Sequence, residues 1–74
     1  MAQPEICRRM GLRIKELRMD RGYTQEGLAN EIGMTQSYLA EIESGKRNVS
    51  LSNIARIAQG LHISLSELFE GVDE

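Results

Sequence analysis

The feature that most constrains this chain is its punctuation. Gly22 is followed by Thr24, and Gly33 by Thr35, so twice in quick succession a residue suited to end a helix stands just before one suited to cap the next. Between these signals, Gln25 to Ile32 has room for only about two helical turns. A helix that short does not hold in water on its own. The chain must therefore build its stability by packing several short helices together.

The rest of the pattern agrees. Glu5 to about Arg21 reads as a first helix entered from Pro4, with Ile6, Met10, Ile14 and Leu17 recurring on one face before Gly22 stops it. The second helix runs through Ile32 with Leu28, Ala29 and Ile32 inward. Thr35 caps a third, Gln36 to about Ser44, carrying Tyr38, Leu39 and Ile42 on one side, and Gly45 ends it. Lys46 to Val49 form a loop. Ser50 begins a fourth helix whose buried positions are Leu51, Ile54, Ile57, Ala58 and Leu61. His62 falls where a glycine is usual, and histidine is among the few other residues that tolerate positive φ, so it is expected to end that helix in the left-handed region. Ser64 and Glu67 form a capping box for a fifth helix with Leu65, Leu68 and Phe69, before Gly71. With no strand signal, repeat or linker, the expectation is an all-α, compact five-helix domain spanning residues 1–74. Gly27, inside the second helix, costs about 1 kcal/mol relative to alanine and has no evident reason in the sequence.

Function classes can be pruned. The single cysteine, Cys7, allows no intrachain disulfide, and MAQPEICRRMG has no apolar signal stretch, which favours a reducing cytoplasm. No apolar run approaches the roughly 18 residues that span a bilayer, so a membrane role is not expected. No metal-ligand cluster, phosphate loop or nucleophile with a partner base stands in the sequence, so neither enzyme activity, metal nor cofactor is expected. The net charge of −2 misleads, because Glu67, Glu70, Asp73 and Glu74 crowd a C-terminal stretch without Lys or Arg while all nine basic residues precede it. A binding face responds to local charge, not to the total.

Two short helices joined by Gly33 and Met34, with Ala29 where they cross and Leu28, Ile32, Leu39 and Ile42 at buried positions, match a helix-turn-helix. The stretches TQEGLA, GMTQSYLAEIESGKRN and SLSNIARIAQGLHISLSELF resemble the phage repressor/Cro-type helix-turn-helix family almost end to end. Within it, the compact size and SYLAEIESGKRN look most like restriction-modification controller proteins. The resemblance implies a dimeric, sequence-specific regulator of transcription bound to double-stranded DNA at a two-fold symmetric operator.

It also implies roles residue by residue. Gln25 resembles a glutamine that bonds phosphate and can brace Gln36. Thr35 stands at the DNA-facing cap, and Gln36 and Ser37 open the helix that enters the major groove, where a glutamine amide can pair bidentately with adenine. Both could instead be merely solvated. Tyr38 offers its hydroxyl to phosphate and its ring to the core. Glu43 falls where the family pairs a carboxylate with an arginine of helix 1, here Arg18. Glu41 either accepts from a cytosine amino group or points to solvent. Arg47 is expected at a base or groove, Lys46 and Asn48 at phosphate, and Asn53 at phosphate near the start of helix 4. Leu61, Ile63, Leu65, Leu68, Phe69 and Val72 outnumber what one small core needs, which places a homodimer interface there. If the protein activates transcription, Glu26 and Glu31 on helix 2 are the contact with RNA polymerase; only Glu26 matches an acidic activation residue of related phage repressors, and simple solvation is the alternative. Two rival readings are an antitoxin that also binds a toxin protein, and a helical interaction module without DNA binding.

Overall fold

The computed structural model describes residues 4–73 of the chain. Glu74, counted in the acidic tail, lies outside the described residues. Five helices follow in order: α1 Glu5–Asp20, α2 Gln25–Ile32, α3 Gln36–Glu43, α4 Leu51–Gly60 and α5 Leu65–Phe69. No strand occurs among the described residues.

The caps act where the sequence places them. The hydroxyl of Thr24 accepts from the Gly27 N–H, Thr35 from Tyr38, Ser50 from Asn53 and Ser64 from Glu67, each satisfying an amide that the first turn leaves without a helical partner. The Glu67 carboxylate accepts in return from the Ser64 N–H at 3.2 Å, completing the capping box. At the other ends, Gly33 (φ 68°) and His62 (φ 60°) both take the left-handed conformation. A Cβ on Gly27 would stand 3.0 Å from the Thr24 hydroxyl, but Tyr38, Asn53 and Glu67 carry a Cβ at the same position of their own capped helices, so the structure does not explain this glycine.

Helix α1 packs on α3 and α5, α2 on α3 and α4, and α4 on α5. Their inward faces meet around Ile14, Leu28, Leu39, Ile42, Ile57, Leu61 and Leu68, all fully buried. Two helical glycines set how closely the elements approach. A Cβ on Gly11 would lie 2.4 Å from the Ile42 carbonyl oxygen, and one on Gly60 2.2 Å from Ile32 Cγ2, so α1 lies directly on the end of α3, and α4 directly on α2.

Three expectations about burial change. Leu51, expected in the core, is 69% exposed: the buried residues of α4 are Ile57, Ala58 and Gly60, all in its second half, and its first turn runs past the core. Ile6 is likewise exposed on the first turn of α1. Leu61, Leu68 and Val72, expected at a dimer interface, are buried within the protomer, because a five-residue α5 lying on α1 and α4 needs Leu68 and the following Val72 to close the core. Of that group only Leu65 and Phe69 are exposed, with Ile63 partly so.

Candidate nucleic-acid interface

The turn between α2 and α3 is held from three sides. Gly33 reverses the chain, the Met34 N–H donates to Ala29 O at 2.9 Å, and α4 contributes Arg56, whose guanidinium donates to the carbonyls of Ile32 and Gly33. These are carbonyls that the end of a helix leaves without a helical partner. Arg56 was not singled out in the sequence, where it reads as one more polar residue of an amphipathic helix.

Beyond the turn, Thr35, Gln36 and Ser37 are all exposed at the N-terminal end of α3. Thr35 keeps its hydroxyl on the Tyr38 N–H at 3.1 Å. The side chains of Gln36 and Ser37 make no hydrogen bond among the described residues, and Gln36 borders an open groove with Arg18, Thr24, Gln25 and Glu26. Two polar side chains without internal partners, at the positive end of a helix dipole, are free to bond an outside ligand.

Behind them lies the fixed part of the site. Arg18 and Glu43 are both buried and meet through two bonds, Nε to Oε2 at 2.7 Å and Nη2 to Oε1 at 3.1 Å. The remaining Arg18 nitrogen donates to the Tyr23 carbonyl at 2.7 Å, and Gln25 Nε2 donates to Glu43 Oε1 at 3.0 Å. This four-residue network ties α1, the approach to α2, α2 itself and α3 together. Gln25 thus braces Glu43 and not Gln36, the partner expected from the resemblance. A carboxylate with three charge-assisted donors is fully compensated in the interior.

The loop after α3 carries a second network. The Glu41 side chain is 43% exposed to solvent, and its carboxylate is bridged there: Arg47 Nε donates to its Oε1 at 2.9 Å. The same guanidinium lies over the Tyr38 ring, 5.4 Å from the centroid, a cation–π distance. The i,i+6 spacing across a glycine stop hides this pair from helical periodicity. Lys46 and Asn48 are exposed. Asn53 holds its amide between Tyr38 and Arg56, with Nδ2 donating to Tyr38 Oη at 3.1 Å and Oδ1 accepting from Arg56 Nη1 at 3.2 Å. Two of its four amide hydrogen-bonding positions are used internally, which leaves the second N–H for an outside acceptor such as the phosphate expected from sequence. Glu26 and Glu31 are exposed on α2.

Comparison with known proteins agrees with this architecture. The family model described as helix-turn-helix matches residues 14–68. The control protein C.MunI of a Mycoplasma species is 43% identical over 71 residues, covering 95% of this chain and 96% of that protein. The crystal structure of the restriction-modification controller C.AhdI from Aeromonas hydrophila superposes with a TM-score of 0.82 at 44% identity, over 85% of this chain and 96% of that one. The controller C.Esp1396I, solved as a tetramer in complex with its natural 35 base-pair operator, superposes with a TM-score of 0.84 at 29% identity, over 92% and 90% of the two chains. The chain belongs to the helix-turn-helix family, among DNA-binding transcriptional regulators and most like the restriction-modification controller proteins.

Proposed function

We propose that this protein controls a restriction-modification operon by binding, as a homodimer, a two-fold symmetric operator in cytoplasmic, nucleoid-associated DNA. The observation that carries this reading is the exposed first turn of α3, where Gln36 and Ser37 stand without internal partners beside the cationic loop of Lys46 and Arg47. Gln36 and Ser37 read base edges in the major groove, Arg47 takes a base or groove contact, and Thr35, Tyr38, Lys46, Asn48 and Asn53 hold the backbone. Arg47 bonds Glu41 through Nε, which leaves its Nη groups to reach a base or a phosphate while that bond holds.

Dimerisation follows from size. The protomer measures 30 Å along its longest axis, short of the roughly 34 Å that separates successive major-groove faces on one side of the duplex. One copy serves one half-site. The face for the second copy is the apolar groove lined by Ile6, Met10, Val49, Ile54 and Phe69, with exposed Leu51 on the same side of α4 as Ile54. Phe69, Leu65 and Ile63 carry over from the sequence reading, and Ile6 and Leu51 replace the residues that the core takes. Contact with RNA polymerase is assigned to Glu26, exposed in the first turn of α2; Glu31, also exposed, lies about one and a half turns further on.

Selection from random duplexes tests the function. An enriched sequence with two inverted half-sites, centres about 10 base pairs apart or at a related spacing, supports it. Recovery of unrelated sequences, bound with no advantage over competitor DNA, would overturn it.

A further inference from the structure

Arg56 donates to two carbonyls of the turn and to Asn53, and Asn53 in turn faces Tyr38. The direction of every bond in this chain is fixed by its first member. A guanidinium has donors only, so the Asn53 atom facing Arg56 Nη1 at 3.2 Å must be the amide oxygen. The amide nitrogen is then the atom facing Tyr38 Oη at 3.1 Å, and nitrogen can only donate. The phenol oxygen therefore accepts from within the protein, and its own O–H is left to donate outward.

We infer that Arg56 is a positioning residue for DNA recognition: acting through Asn53, it locks the Tyr38 hydroxyl as an outward-facing donor, the polarity that a phosphate oxygen requires. The inference rests on the reading that Tyr38 faces DNA. A tyrosine hydroxyl with a free choice can turn its hydrogen inward and present lone pairs to a phosphate, which repel it. With Asn53 held as it is, that state would set the hydroxyl hydrogen against an amide N–H. Arg56 also grips Ile32 and Gly33, so the residue that fixes the turn before α3 fixes the hydroxyl on α3 as well. Arg47 meets the Tyr38 ring, 5.4 Å from its centroid, by a cation–π contact and makes no hydrogen bond to the hydroxyl.

A double-mutant cycle on operator affinity tests the relay, with Tyr38→Phe as one arm. The other arm is Arg56→Lys, which keeps the positive charge and one donor group but cannot fork between the amide and the turn. Asn53→Asp is a second variant: it keeps an oxygen for Arg56 and places another before Tyr38, so the hydroxyl must donate inward. Tyr38→Phe is expected to weaken binding by about tenfold, the value of a hydrogen bond to a charged acceptor. Arg56→Lys should weaken it several-fold in the parent and little in the Tyr38→Phe background. Asn53→Asp should lose about tenfold more affinity in the parent than in that background, where only its charge acts. A loss from Tyr38→Phe together with equal effects of Arg56→Lys and Asn53→Asp in both backgrounds overturns the relay and leaves Tyr38 as a DNA contact. An unchanged affinity of Tyr38→Phe removes Tyr38 from the interface, and the relay with it. Melting curves of each variant restrict the comparison to folded protein.

Discussion

Replacing Arg18 by alanine is a severe test of the network that holds α3. The Arg18 side chain is 10% exposed and that of Glu43 3%. Alanine removes two of the three donors on the Glu43 carboxylate and the donor on the Tyr23 carbonyl, leaving a buried carboxylate with Gln25 alone. Breaking a buried pair from one side costs about 3–5 kcal/mol. A domain of this length has roughly 4–11 kcal/mol in all, so the variant should lose a large fraction of its stability. At about 4–8 °C per kcal/mol for a small domain, the melting temperature should fall by more than about 10 °C. Circular dichroism at 222 nm during a thermal ramp, repeated in urea, reads both quantities. The companion variant combines Arg18→Met with Glu43→Leu. Because most of the loss comes from the stranded charge, the double variant should recover to within about 2 kcal/mol of the parent. Operator affinity of the folded fraction should move little in either protein, since neither group is exposed. An Arg18→Ala protein that melts within 2 or 3 °C of the parent would refute the reasoning, as would a double variant less stable than the single one.

Other expectations can be checked independently. Gln36→Ala should weaken operator binding by about 1–3 kcal/mol and relax preference at one position of each half-site; an equal loss on operator and random DNA in competition assays would show that it is not a base reader. Phe69→Ala should raise the dimer dissociation constant by about tenfold or more with a smaller change in the monomer's melt, and sedimentation showing an unaltered dimer would remove Phe69 from that face. Glu26→Gln should leave operator affinity intact or slightly higher while lowering transcription from an activated promoter in a purified system; full transcription at saturated binding would discard the polymerase contact. Gly60→Ala should cost about 1–3 kcal/mol by overpacking, since its Cβ would meet Ile32 Cγ2 at 2.2 Å. An unchanged urea midpoint would contradict that close approach.

What could be read from sequence was what is local. The helix boundaries were legible because Thr24, Thr35, Ser50 and Ser64 cap through their own neighbours and because Gly33 and His62 adopt positive φ where they stand. Arg18 and Glu43 came from the resemblance, as no periodicity joins residues so far apart. Periodicity failed at helix ends: Leu51 and Ile6 keep the spacing of core residues but lie on first turns that extend past the core. It also could not divide the apolar C-terminal residues between core and surface, which depends on how α5 lies on α1 and α4. The bonds of Arg56 to Ile32 and Gly33, the bond of Asn53 to Tyr38, and the close approaches at Gly11 and Gly60 arise only when the helices meet. A polar residue on an amphipathic helix gives no sign in sequence of the carbonyl it will find across the turn.

The same partition explains how an acidic chain keeps most of its carboxylates away from the first turn of α3. Glu43 is interior and compensated by Arg18, and Glu41 is bridged by Arg47. Glu5 pairs with Arg8 and Arg9, and the hydrogen bond from Arg8 holds its carboxyl below the ordinary range. Glu70, in the acidic tail, borders a groove with Arg9, Arg13 and Glu16 of α1. Helix α3 meets α1 and α2, whereas α5 meets α1 and α4, so the tail is carried by the opposite side of α1. At physiological salt, fields decay over about 8 Å, and charge displaced to another face contributes little at the first turn of α3. The acidic residues left exposed near that turn are on α2, with Glu26 bordering the same groove as Gln36. Repulsion between Glu26 and a phosphate works against affinity without reading any base. The Glu26→Gln comparison decides whether that cost accompanies the proposed polymerase contact or simple solvation.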